Sequence, residues 1–117
     1  MKITAAVTRE SGADFAIEEI ELEDPRDNEV LVRIVGVGVC HTVLGHEGSG
    51  VVEKVGSKVT SVKPGDHVVL SYTYCEQCKP CGHQHINYCQ SFAPLNMVGM
   101  RADGSSALSK DGERVSG

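Results

Sequence analysis

Four of the five cysteines fall within one short stretch, as Cys75-x2-Cys78-x2-Cys81-x7-Cys89. No other feature restricts what this chain can fold into as tightly. Tetrahedral zinc takes four thiolates at about 2.3 Å, and a Cys-x2-Cys step brings two sulfurs to one ion through a tight turn. Three cysteines one step apart, with a fourth returning after a loop, close the shell and leave no exchangeable position. A closed shell marks a structural metal site rather than a catalytic one. The rival chemistry is disulfide formation, which is rare in the cytosol, and Met1-Lys2-Ile3-Thr4 is not followed by the apolar stretch of an export signal. A thioredoxin-like Cys-x-x-Cys belongs at a helix start inside a βαβ pattern, and none is visible. Thiol redox chemistry or an iron–sulfur cluster therefore stands as the alternative. His83 and His85 lie inside the cysteine loop and read as solvated residues, because sulfur already completes the shell.

Composition narrows the rest. The 117 residues are one domain's worth, and 40% hydrophobic with 23% charged residues describes a globular chain rather than a disordered one. No apolar run approaches the roughly 18 residues needed to span a bilayer, so the expectation is a cytoplasmic protein with no membrane partner. The formal charge of −5, with eleven basic residues scattered singly among sixteen acidic ones and no tryptophan, disfavours a nucleic-acid partner. The nearest approach to a dinucleotide fingerprint is Gly36-Val37-Gly38-Val39-Cys40-His41, where histidine replaces the third glycine and no amphipathic helix follows. The chain is expected to hold no complete nucleotide-binding fold.

The pattern along the chain is β throughout. Strands are expected over Lys2–Thr8, Phe15–Leu22, Val30–Val39, Gly50–Val55 and His67–Tyr72. In the second, Phe15 and Ile17 fall out of step with Ile20 and Leu22, a slip that a bulge would explain. Lys63-Pro64-Gly65-Asp66 fits a tight turn. No window longer than about ten residues has helical periodicity. Short strands at near-regular spacing predict a barrel or sandwich. Residues 90–117 hold few apolar positions and read as a tail with little to bury, from a chain cut before its remaining strands.

The fifth cysteine opens a second constellation, Gly38-Val39-Cys40-His41-Thr42, followed closely by Gly45-His46-Glu47-Gly48-Ser49-Gly50. Cysteine, histidine and carboxylate at a strand end suit a zinc with an exchangeable position, which acts as a Lewis acid on an alcohol or carbonyl oxygen. The metalloprotease motif His-Glu-x-x-His fails, since residue 50 is glycine. Gly45 through Gly56, Pro64-Gly65-Asp66-His67-Val68, Cys40-His41-Thr42 and the four-cysteine lobe together resemble the zinc-dependent medium-chain alcohol dehydrogenases, and among them the bacterial aryl (benzyl-type) enzymes. The resemblance runs over nearly the whole chain in family order.

It implies a mainly β fold: an incomplete GroES-like β-barrel spanning 1–117, an irregular structural-zinc lobe over 72–92, and no Rossmann domain. It also implies roles. Cys40 and His46 match ligands of the catalytic zinc, and Glu47 matches the carboxylate beside it. His41 sits where the family contacts the cofactor pyrophosphate, and Thr42 matches the hydroxyl that starts the proton relay before hydride transfer to NAD. Cys75, Cys78, Cys81 and Cys89 match the structural zinc site.

Two departures qualify these roles. Family members place roughly twenty residues between the catalytic cysteine and Gly-His-Glu, whereas Cys40 and His46 are six apart, and Val43 replaces an acid that would orient the histidine ligand. The third catalytic ligand and the nucleotide domain are also missing. The expectation is a fragment of the catalytic domain, inactive alone and prone to self-association through exposed strand edges. The alternative is a stand-alone zinc module acting through a protein partner.

Overall fold

The computed structural model describes residues 1–10, 12–38 and 46–115. Among them are seven strands in two sheets and two short helices. β1 (Lys2–Val7) and β2 (Ala16–Leu22) pair antiparallel from Lys2 opposite Glu21 to Val7 opposite Ala16. That register is unbroken, so the bulge expected in Phe15–Leu22 is absent. Phe15 precedes the strand, and the strand turns Ile17 outward. Ile20 is 2% exposed and faces in, while Phe15 and Ile17 are 53% and 73% exposed.

β3 (Val30–Val37), β4 (Gly48–Val55) and β5 (His67–Val69) form the second sheet, in that order and all antiparallel. Each lies where the sequence pattern placed a strand, with ends shifted by up to three residues. The irregularities fall here, between Leu31 and Val32 and between Ile34 and Gly36. Along β4 the alternate residues Gly48, Gly50 and Val52 are buried. Glycine is required at 50, since a Cβ there would lie 2.2 Å from the Arg33 carbonyl oxygen. Lys63 to Asp66 makes the expected turn, with Gly65 at φ 92°.

The carboxyl-terminal residues overturn the expectation of a tail with little to pack. β6 (Leu108–Lys110) adds to the free edge of β2, with Leu108 opposite Leu22, and β7 (Glu113–Val115) folds back on β6. The hairpin turn is Asp111-Gly112, with φ of 51° and 81°. Two successive positive φ values match the twist of the flanking strands, and Asp-Gly is the sequence signal for that turn.

Charge ties the first sheet to the segment leading into the second. Arg101, its side chain 13% exposed, donates to both carboxylate oxygens of Glu29 and to Glu23, the Glu29 contacts at 2.5 and 2.8 Å. Arg26 donates to Asp103 at 2.7 Å and to Ser105 at 2.9 Å. The apolar core is small: among the described residues only Ile20, Val52 and Cys89 are buried hydrophobics. The chain exposes 8546 Å², against about 6,200 Å² expected of a compact monomer of its mass. The two sheets do not close into a barrel among the described residues, and none of the helices is long and apolar enough to cross a membrane.

Candidate metal centre

The chain leaves β5 and enters an irregular lobe whose neck is closed by Asn96. The Asn96 side-chain oxygen accepts the Thr73 amide at 2.8 Å, and its nitrogen donates to the Thr73 and Phe92 carbonyls, each at 2.9 Å. One amide thus bridges two chain segments as a ladder pair would. The Tyr72 and Phe92 rings pack beside it with centroids 5.7 Å apart.

Inside the lobe, the Cys75, Cys78, Cys81 and Cys89 sulfurs all lie within 4.8 Å of one another. Sulfurs at 2.3 Å from a tetrahedral centre sit about 3.8 Å apart, so the cluster fits one zinc ion. The backbone explains the convergence. Glu76 takes a positive φ of 60°, which turns the chain so that the Cys78 amide donates to the Cys75 sulfur at 3.3 Å. Pro80 then starts α1 (Lys79–Gly82), which carries Cys81 to within 3.4 Å of the Cys78 sulfur. A single 3-10 turn, Ile86–Tyr88, delivers Cys89, which is 5% exposed and accepts the Cys75 amide at 3.4 Å. α2 (Phe92–Asn96) leads out.

The amides also set the protonation of the thiols. Donors from Gln77 and Cys78 hold the Cys75 thiol down at about 6, and donors from Gln90 and Cys81 lower Cys78. Burial pushes Cys81 up to about 12. The Cys75 sulfur is thus primed as a thiolate, the form that binds metal, and metal binding would expel the protons from the remaining thiols. His83 and His85 are exposed and stand outside this cluster.

Cys40, His41 and Thr42 lie outside the described residues, as does the short connection after Thr42. Of the second constellation, His46 and Glu47 are described; both are exposed and immediately precede β4. The Gly38 amide donates to the Glu47 carbonyl at 2.8 Å. The Glu47 carboxylate lies over Gly38, where a Cβ would approach it to 2.4 Å. The ends of the β3–β4 connection are therefore pinned to each other, so its length can vary at little cost to the sheet. The sequence reading missed the Asn96 clasp and the amide donors to sulfur. No spacing rule marks either, because both are made by backbone groups or by one neutral side chain.

A β domain carrying a four-sulfur lobe of zinc dimensions defines a class of metal-bearing domain, and comparison with known proteins makes it specific. Residues 42–110 match the alcohol dehydrogenase GroES-like domain, and the chain belongs to that family. A geraniol dehydrogenase of Castellaniella defragrans is 44% identical over 126 residues, covering 95% of this chain and 34% of the relative. A class-3 alcohol dehydrogenase of Cereibacter sphaeroides is 42% identical, covering 93% and 34%. Among solved structures, an alcohol dehydrogenase zinc-binding domain protein from Burkholderia ambifaria superposes with TM-score 0.93 at 45% identity, covering 99% of this chain and 36% of that one. The benzyl alcohol dehydrogenase of Acinetobacter calcoaceticus gives 0.87 at 41% identity, covering 92% and 34%.

The chain spans about a third of the length of the curated relatives it matches. With the geraniol dehydrogenase, the 126 aligned positions use 95% of a 117-residue chain, about 111 residues. About 15 positions are therefore present in the relative and absent here.

Proposed function

We propose that this chain is the zinc-bearing, amino-terminal part of the catalytic domain of a cytoplasmic, zinc-dependent NAD alcohol dehydrogenase. The complete enzyme would move hydride between an alcohol and its aldehyde; the chain alone would be inactive. The observation that carries this is a four-sulfur cluster of zinc dimensions in a member of the alcohol dehydrogenase GroES-like family. Cys75, Cys78, Cys81 and Cys89 would hold the structural ion, whose chemistry is to cross-link a lobe with almost no core of its own.

Cys40, His46 and Glu47 would hold the second zinc, a sulfur, nitrogen and oxygen donor set that suits this ion. Zinc bound there supplies Lewis acidity, which lowers the pKa of an alcohol as it does that of water. The Thr42 hydroxyl would receive the alcohol proton, and His41 would contact the cofactor pyrophosphate. The positions absent relative to the geraniol dehydrogenase are assigned to the junction of Thr42 and Val43, where substrate-pocket residues would otherwise lie.

Elemental analysis of zinc per chain, on protein purified without chelator, tests this reading. One zinc ion is expected in the four-cysteine lobe, lost in Cys89→Ser; a second ion, lost in Cys40→Ala, would show that Cys40, His46 and Glu47 still assemble a site despite the short connection. No zinc, with the four lobe cysteines cycling between thiol and disulfide, would overturn it in favour of redox chemistry.

The free strand edges are proposed to pair with a second copy. β3 bonds only to β4 among the described residues, and Ile34, Val35, Val37 and Val69 are exposed around this sheet. A monomeric mass by light scattering at high concentration would refute that pairing.

A further inference from the structure

The four lobe sulfurs are not equivalent. The Cys78 thiol donates to the Cys81 sulfur at 3.4 Å. That is closer than the separation of about 3.8 Å that tetrahedral zinc sets between its sulfurs. The other two sulfurs are engaged by backbone. Cys75 accepts the Cys78 amide at 3.3 Å, and Cys89 accepts the Cys75 amide at 3.4 Å. Cys89 is also 5% exposed, whereas Cys75, Cys78 and Cys81 are half-buried and within reach of a small solute.

Backbone holds the close pair in place. Only Lys79 and Pro80 separate Cys78 from Cys81. The Pro80 ring fixes φ in that turn, and the Gly82 amide donates to the Cys78 carbonyl at 3.0 Å. A disulfide places its sulfurs about 2.05 Å apart, so this pair has about 1.4 Å left to close. Cys75 and Cys78 are equally near in sequence, but the Cys78 amide sits on the Cys75 sulfur, with Glu76 between them at φ 60°. A bond between those two sulfurs would give up that hydrogen bond. Pairing through Cys89 would require its buried sulfur to move.

We propose that the lobe is a peroxide-sensitive switch, in which Cys78 and Cys81 join as a disulfide and the lobe gives up its metal ion. The inference rests on the reading that the lobe holds zinc, and it adds regulation to that site.

The chemistry balances with a peroxide as the oxidant. One thiolate attacks a peroxide oxygen; the sulfur–oxygen bond forms, the oxygen–oxygen bond breaks, and hydroxide leaves. The second thiolate then attacks the sulfenic sulfur, forming the disulfide and expelling a second hydroxide. Two protons convert both hydroxides to water. The sulfur pair loses two electrons and the peroxide gains them. A disulfide offers no thiolate, so two of the four ligand positions disappear, and Cys75 and Cys89 alone do not complete a tetrahedral shell. The neck stays closed, because the Asn96 clasp on Thr73 and Phe92 involves no sulfur.

The test adds hydrogen peroxide to the full, zinc-loaded chain at a few molar equivalents. A chromogenic chelator reads released zinc, and alkylation of the remaining thiols followed by mass spectrometry reads which cysteines are bonded. Release of about one zinc per peroxide consumed is expected. Cys75 and Cys89 should take the alkylating agent, and Cys78 and Cys81 should not. Dithiothreitol with added zinc should restore both metal content and full alkylation. Zinc retained after peroxide, protection of any other pair, or over-oxidation that dithiothreitol does not reverse would overturn the switch alone. Absence of zinc before any peroxide is added would overturn the metal reading, and the switch with it.

Discussion

The second sheet and the cysteine lobe follow each other in the chain but are held together by opposite means. In the sheet, β4 is paired along both edges, and its alternate residues Gly48, Gly50 and Val52 are buried. Backbone bonds and close packing suffice there. The lobe has helices of four and five residues, far below the length at which a helix persists unaided, and Cys89 is its one buried hydrophobic residue. Its order rests on four converging sulfurs and the Asn96 clasp. A small domain that lacks apolar area can replace it with a cross-link, and a metal bound in the lobe would make that region conditional on the ion while its neighbour is not.

Removing the metal should break this contrast most severely. Structural zinc contributes about 10–16 kcal/mol in zinc-finger peptides. Chelation of the zinc-loaded chain should therefore erase amide protection across residues 73–96 while leaving β3 and β4 protected. Hydrogen exchange measures both in one sample, and uniform loss across the chain would show that sheet and lobe fold as one unit.

The converse experiment attacks the sheet. Gly50→Ala drives a Cβ into the Arg33 carbonyl and should cost about 3 kcal/mol, from forced separation of β3 and β4. Denaturant unfolding would measure it, and zinc content should be unchanged. Arg101→Ala should cost less, about 2 kcal/mol, by leaving Glu29 and Glu23 without their charged donor. Arg101→Lys should recover only part, since a single ammonium cannot span both Glu29 oxygens.

The smallest effect is a pH dependence in the first sheet. Hydrogen bonds from Arg9 and Lys110 hold the Glu18 carboxyl down at about 2, from an ordinary value of 4.5. A depressed carboxylate stabilises the fold at pH above its unfolded value, and that contribution is lost as pH falls towards the folded one. The Tm difference between the parent chain and Glu18→Gln should be constant above pH 5 and shrink between about pH 4.5 and pH 2. A difference that stays constant down to pH 2 would mean Glu18 is held no more tightly folded than unfolded.

Legibility in the sequence followed the range of each interaction. β1 to β5 were readable because apolar alternation and turn residues act over a few positions. The zinc-sized cluster was readable because Cys-x2-Cys encodes its own turn. Asp111-Gly112 announced a hairpin just as plainly, but residues 90–117 carry so few apolar positions that the pattern hid it. Phe15 and Ile17 misled for the reverse reason: both are apolar, yet Ile17 lies on the outward face of an unbroken ladder and Phe15 is exposed just before it. Arg101 meets Glu29 across 72 positions of chain, and nothing local marks that pair.

By itself, the sequence determined the strand periodicities, the family and the donor set of the lobe, since each rests on residue type at short spacing. Tertiary structure alone decided which face of β2 is buried, that β6 joins its edge, and that Asn96 rather than an apolar core closes the lobe. These depend on what arrives from distant parts of the chain. Burial and hydrogen-bond satisfaction belong to the assembled neighbours and not to any one segment.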